Sequence, residues 1–83
     1  MITEGTHIRF VPAEVPAHWK TLGWKVENKH DGVSLGTIEW FSRWRKYSFF
    51  PAPETVYEEV CLREISRFIQ DQTGLHRLEK RAE

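Results

Sequence analysis

The chain has 83 residues, room for one domain, and its 12 Lys+Arg balance its 12 Asp+Glu. With 40% hydrophobic residues it is a folded globule rather than a disordered segment, and its zero net charge argues against generic duplex-DNA binding while allowing a local basic patch. A single cysteine, Cys61, excludes an intrachain disulfide and points to a reducing, cytoplasmic setting.

The start, Met1-Ile2-Thr3-Glu4, lacks the basic-then-apolar pattern of a signal peptide. No apolar run approaches the ~18 residues of a membrane span. Thr6 to Val11 alternates as an edge strand, with Ile8 and Phe10 on one side and His7, Arg9 and Val11 on the other. Pro12 and Pro16 then force a loop through His18, which Trp19 and Leu22 are expected to anchor. Trp24 to Asn28 reads as a strand with Trp24 and Val26 inward and Lys25, Glu27 and Lys29 outward. His30-Asp31-Gly32 supplies a turn, because Gly tolerates positive φ.

The next strand runs over 33–41 and opens the stretch around which the chain is organised, residues 35–53. Gly36, Ile38 and Trp40 share one face; Leu35, Thr37, Glu39 and Phe41 share the other. Ser42, Arg43 and Trp44 form a hairpin connection, and Arg45 to Phe50 is the returning strand, with Tyr47 and Phe49 opposite in sense to Ser48 and Phe50. Rings therefore fall on both faces. One helix is too little to cover them, which predicts a homodimer with the sheet or its edge at the interface.

Pro51 and Pro53 end the sheet. Thr55 and Glu58 have capping-box spacing, which starts a helix at Val56; the alternative keeps 55–57 extended and starts it near Glu59. Beyond, Leu62, Ile65, Phe68, Ile69 and Gln72 line one face beside Cys61, and Glu59 pairs with Arg63. Gly74 reads as the C-cap, with Leu75 to Glu83 a polar tail held by Leu75 and Leu78. The predicted fold is α+β: an antiparallel meander of three or four strands with one C-terminal helix on it. It forms a single domain over 1–83 with flexible ends at 1–5 and 79–83.

Catalytic and metal-ligating patterns are not evident. His7, His18, His30 and His76 are dispersed, and Cys61 reads as a small core residue. The expectation is a non-enzymatic protein with no cofactor and no metal. What stands out is an aromatic–basic set: Trp40, Arg43, Trp44, Arg45, Lys46 and Tyr47, with Phe49 nearby. Rings stack on bases and arginines grip phosphate, which suits a nucleotide-like ligand or a single-stranded nucleic acid. Trp, Tyr and Arg equally dominate protein interfaces, which suits docking on a protein. Trp44, at the turn between two arginines, is expected at an exposed tip, the alternative being that it folds back on the sheet.

Leu35-Gly36, Ile38, Trp40, Trp44-Arg45, Tyr47, Phe49-Phe50-Pro51 and Cys61-Leu62-Arg63, with Trp24, Val26 and Asn28 upstream, form a pattern. Over residues 24–73 it resembles small uncharacterised proteins of bacteriophages and prophages. The resemblance implies a phage or prophage setting, hence a host protein or a host signalling molecule as the partner.

Overall fold

The computed structural model describes residues 2–82, with side chains described through Lys80. The sheet is an antiparallel meander in which sequence neighbours pair: β1 (Thr3–Glu4), β2 (Ile8–Pro12), β3 (Gly23–Asn28), β4 (Ser34–Phe41) and β5 (Lys46–Pro51). One helix, α1 (Glu59–Ala82), follows and packs on one face. This is the predicted α+β architecture, with β1 added at the edge. Two-residue β1 carries no periodicity for a sequence to display; it pairs Thr3 with Phe10 and Glu4 with Arg9. The ends expected to be loose are thus a strand at Thr3–Glu4 and helix at 79–82; Met1 and Glu83 lie outside the described residues.

Period-2 alternation sends Ile8, Phe10, Trp24, Val26, Ile38 and Tyr47 to the helix side, where all are buried with Ile65 and Phe68 of α1. Phe68 stacks flat on Phe10, ring centroids 4.1 Å apart, and meets Trp24 edge-on at 5.1 Å. Each such side chain contributes roughly 1.5–3 kcal/mol by leaving water. Leu35 breaks the alternation. Val26 pairs with Gly36 but Glu27 with Ser34, so Leu35 is the extra residue of a β-bulge and turns inward rather than outward as expected. Gly36 makes this possible with φ +147°; a Cβ there would stand 2.9 Å from a ring carbon of Phe49 and 3.0 Å from Pro51 Cα.

The loop after β2 is not anchored by its large side chains. Trp19 and Leu22 are exposed. It is held by the Leu22 N–H donating to the Tyr47 hydroxyl (3.1 Å) and by the Ala13 N–H donating to the Gly23 carbonyl (2.9 Å).

Glu54 takes positive φ (58°), residues 55–58 lie outside any helix or strand, and Tyr57 packs edge-on to Phe49 at 5.4 Å. Tyr57 also donates its hydroxyl to the Leu35 carbonyl. The helix therefore starts at Glu59, the second of the two expected starts. Its cap is Glu58, whose carboxylate accepts from the Cys61 N–H at 2.7 Å. Thr55 is no cap; its hydroxyl lies 2.8 Å from the Ala52 carbonyl oxygen. Leu62, expected in the core, is more than half exposed, and Thr73 takes a buried place that its polarity concealed. Gly74 does not end the helix. Packing beyond it, His76 against Trp40 at 4.5 Å and Arg77 donating to the Arg45 carbonyl at 3.1 Å, outweighs a propensity penalty of ~0.8–1 kcal/mol. The expected polar tail is two more turns of α1.

At the β5 edge, the Tyr47 N–H donates to the Thr73 hydroxyl (3.1 Å) and Pro51 has no N–H to offer. The face of the sheet away from α1 carries no second layer of helix or strand among the described residues, only Val15 of the loop over Gly23. It carries Val11, Lys25, Thr37, Glu39, Phe41, Ser48 and Phe50, with an Arg9–Glu27 ion pair (2.9 Å) at one end.

Candidate functional site

The hairpin tip is a four-residue turn, Ser42 to Arg45. The Trp44 N–H donates to the Phe41 carbonyl (3.1 Å) and the Arg45 N–H to that of Ser42 (3.2 Å). Arg45 has φ 52°, a left-handed conformation that closes the turn and is uncommon for a residue with a Cβ. That backbone swing separates neighbours. Arg45 goes to the helix side of the sheet, and Trp44 goes to the opposite side against Phe41, ring centroids 4.8 Å apart.

The six residues singled out from sequence therefore do not form one patch. Trp40 and Arg45 line a cleft beside the helix. Trp44 is 63% exposed, and Arg43 and Lys46 are exposed around it. Tyr47 is 2% exposed and offers no surface to a ligand. Its ring meets Trp40 and Trp24 edge-on, each at 5.2 Å, and burial pushes its phenol above the usual range despite the hydrogen bond from Leu22. Tyr47 supports the cleft from below.

The cleft holds about 750 Å³, within the range of small-molecule sites. Its walls are the hairpin turn, the loop at Lys20–Thr21 and the last turns of α1. Trp40 is its half-buried ring, with His76 tilted against it at 4.5 Å. Around them stand Lys20, Arg45, Arg77 and Lys80. Among the described residues none of these four pairs with a carboxylate. Glu79 stands beside Lys20 and Lys80 in an adjoining depression, which His76 also lines. The Arg77 guanidinium is positioned by the Arg45 backbone carbonyl, which ties the last turns of α1 to the hairpin turn.

Lys20, His76, Arg77 and Lys80 are the residues that sequence reasoning missed. The last three stand at i, i+1 and i+4, a spacing that gathers them on one side of a helix, but only if the helix continues past Gly74. Chemistry elsewhere is sparse. Among the described residues no group of three His, Cys, Asp or Glu is placed to hold a metal. Burial, and then the Glu58 carboxylate, push the half-buried Cys61 thiol up, so it stays protonated at neutral pH. No described helix is long and apolar enough to cross a membrane.

No protein-family model matches the chain, and no solved structure matches it. A curated relative does. Over 63 residues, 76% of this chain and 80% of the relative, the two sequences are 32% identical. Identity at that level across four-fifths of the relative establishes common descent: the chain belongs to the family of the phage-encoded "Uncharacterized 9.3 kDa protein" of Acholeplasma phage L2.

Proposed function

We propose that the chain is a non-enzymatic binding module whose cleft holds a phosphate-bearing ligand with an aromatic base, a nucleotide or the end of a single strand. The observation that carries this reading is the convergence of Lys20, Arg45, Arg77 and Lys80 on the Trp40–His76 pair, with no ion-pair partner among the described residues. Exposed cations lining a groove attract phosphate, arginines bind it in bidentate fashion, and a ring offers a sequence-tolerant stacking surface. Neutral overall charge with a local cationic cleft favours a small or single-stranded ligand over a long duplex. Calorimetric titration with nucleoside mono-, di- and triphosphates and a short oligothymidylate tests it. Saturable binding is expected for at least one probe. Arg45→Ala and Arg77→Ala should each weaken it by ~1.5–3 kcal/mol, the value of a hydrogen bond to a charged group. Added salt should weaken it further. Binding unchanged by both substitutions, or none at millimolar ligand, refutes the reading.

A second reading rests on Trp44, which is 63% exposed and has Phe41 as its ring neighbour. A ring presented at a hairpin tip with Arg43 and Lys46 exposed beside it has the composition of an interface anchor. The phage-encoded relative supports a phage setting; on this reading the partner is a host protein met in the host cytoplasm. On this reading Trp44→Ala leaves folding intact and abolishes capture of the partner from host lysate. Undiminished capture would count against it.

A further inference from the structure

We infer that the sheet face turned away from α1 is a self-interface: two copies pack these faces together about a two-fold axis, and both clefts stay open to solvent. The face is apolar in a connected way. Phe41 lies 4.8 Å from Trp44 and 6.2 Å from Phe50, ring centroid to centroid, so the three rings form a row. Val11 lies on the same face, and Val15 stands where Gly23 lacks a side chain, 3.0 Å from the position a Cβ would take.

Charge decides the occupant. Arg9 and Glu27 neutralise each other within the chain. Lys25, Glu39 and Lys46 on that face have no ion-pair partner among the described residues. Both signs on one surface suit a second copy of that surface, because an isologous contact forms each pair twice. Strands ~4.8 Å apart, with same-face residues ~6.8 Å apart along each, define the grid. On it, the two-fold that sets Lys25 on Glu39 of the second copy also lays Phe41 over Val11 of the second copy. The same axis brings the two Phe50 positions together and sets Lys46 over the Arg9 of the second copy, whose charge Glu27 already neutralises. Zero net charge leaves no overall repulsion between copies. The edges do not compete: β1 is two residues long, and β5 is stopped by Thr73 and Pro51.

Sedimentation equilibrium on the full chain, from low to high micromolar concentration, tests this independently of the cleft. The expected mass is twice the 9.9 kDa of the chain. Lys25→Glu and Glu39→Lys should each weaken the dimer about tenfold or more, by setting like charges face to face. The double variant, with the charges exchanged, should restore it. Phe50→Glu should give a monomer with unchanged helical circular dichroism. A 9.9 kDa monomer at high micromolar concentration overturns the inference and leaves the face to a different partner. A dimer indifferent to Phe50→Glu, or a double variant no tighter than either single one, also overturns it. If Phe50→Glu fails to fold, the charge exchange decides alone.

Discussion

Thr73→Val isolates the hydrogen bond that joins β5 to α1. Tyr47 is paired with Trp40 across the ladder, and its N–H points away from β4 to the Thr73 hydroxyl at 3.1 Å. Thr73 is 7% exposed, so water has little access to replace it. Valine has nearly the same shape, so no cavity opens. What is lost is the acceptor, and a buried N–H without one costs ~1–3 kcal/mol. A chain of this length has about 4–12 kcal/mol of stability in all. At roughly 4–8 °C per kcal/mol, the melting temperature should fall by several to more than ten degrees. Thr73→Ser keeps the oxygen and loses a methyl, which costs about 0.8 kcal/mol. Thermal unfolding of the three proteins, run beside amide exchange at Tyr47, measures the effect. The valine variant should melt lower and lose Tyr47 protection, while serine keeps it. A valine variant that melts at or above the parent with the Tyr47 amide still protected refutes the reasoning.

Phe68→Ala removes the ring stacked on Phe10 and edge-on to Trp24, and urea denaturation should show a loss of ~3–5 kcal/mol. Gly36→Ala meets both a positive φ and the Phe49–Pro51 backbone and ring; overpacking of that kind costs ~1–3 kcal/mol, read from the same transition. The Glu58 carboxyl is held below its ordinary value near 4.5 by hydrogen bonds from Cys61, backbone first, and then from Val60. Its folded pKa is therefore below its unfolded one. The stabilisation is complete above the unfolded value and fades as pH falls through the folded one. Helical circular dichroism should weaken across that acid range, and Glu58→Gln, which keeps an uncharged acceptor, should flatten this part of the profile.

The strands over 24–50 were legible because tertiary burial there agrees with local alternation. Trp24, Val26, Ile38 and Tyr47 repeat every second residue and all are buried. The helix was legible at Ile65 and Phe68 for the same reason at a different period. Failures fall where a tertiary contact overrode a local signal. Gly74 has the chemistry of a helix stop, but His76 and Arg77 find partners on the hairpin and carry the helix through. Leu35 has the parity of an outward residue, but a bulge beside Gly36 turns it in. The candidate site divided likewise. Trp40 and Arg45 were found by composition, whereas Lys20 and Lys80 join them only through folding, from 25 residues before and 35 after Arg45.

Gly74 is a weak point inside a continuous helix. No atom lies within 4 Å of where its side chain would begin, so packing does not require a glycine there. Its conformational freedom lowers the helix by ~0.8–1 kcal/mol against alanine. The turns beyond it grip the sheet through His76 and Arg77, at the hairpin end of the core. Their unravelling is a local event with a lower cost than global unfolding. One wall of the cleft is thus expected to fray ahead of the rest of the helix. Anything that grips Arg77 or Lys80 opposes that fraying, so occupancy is written into the exchange rates of the final turns. Gly74→Ala would shift the free protein toward the ordered wall and tighten binding without touching the ligand.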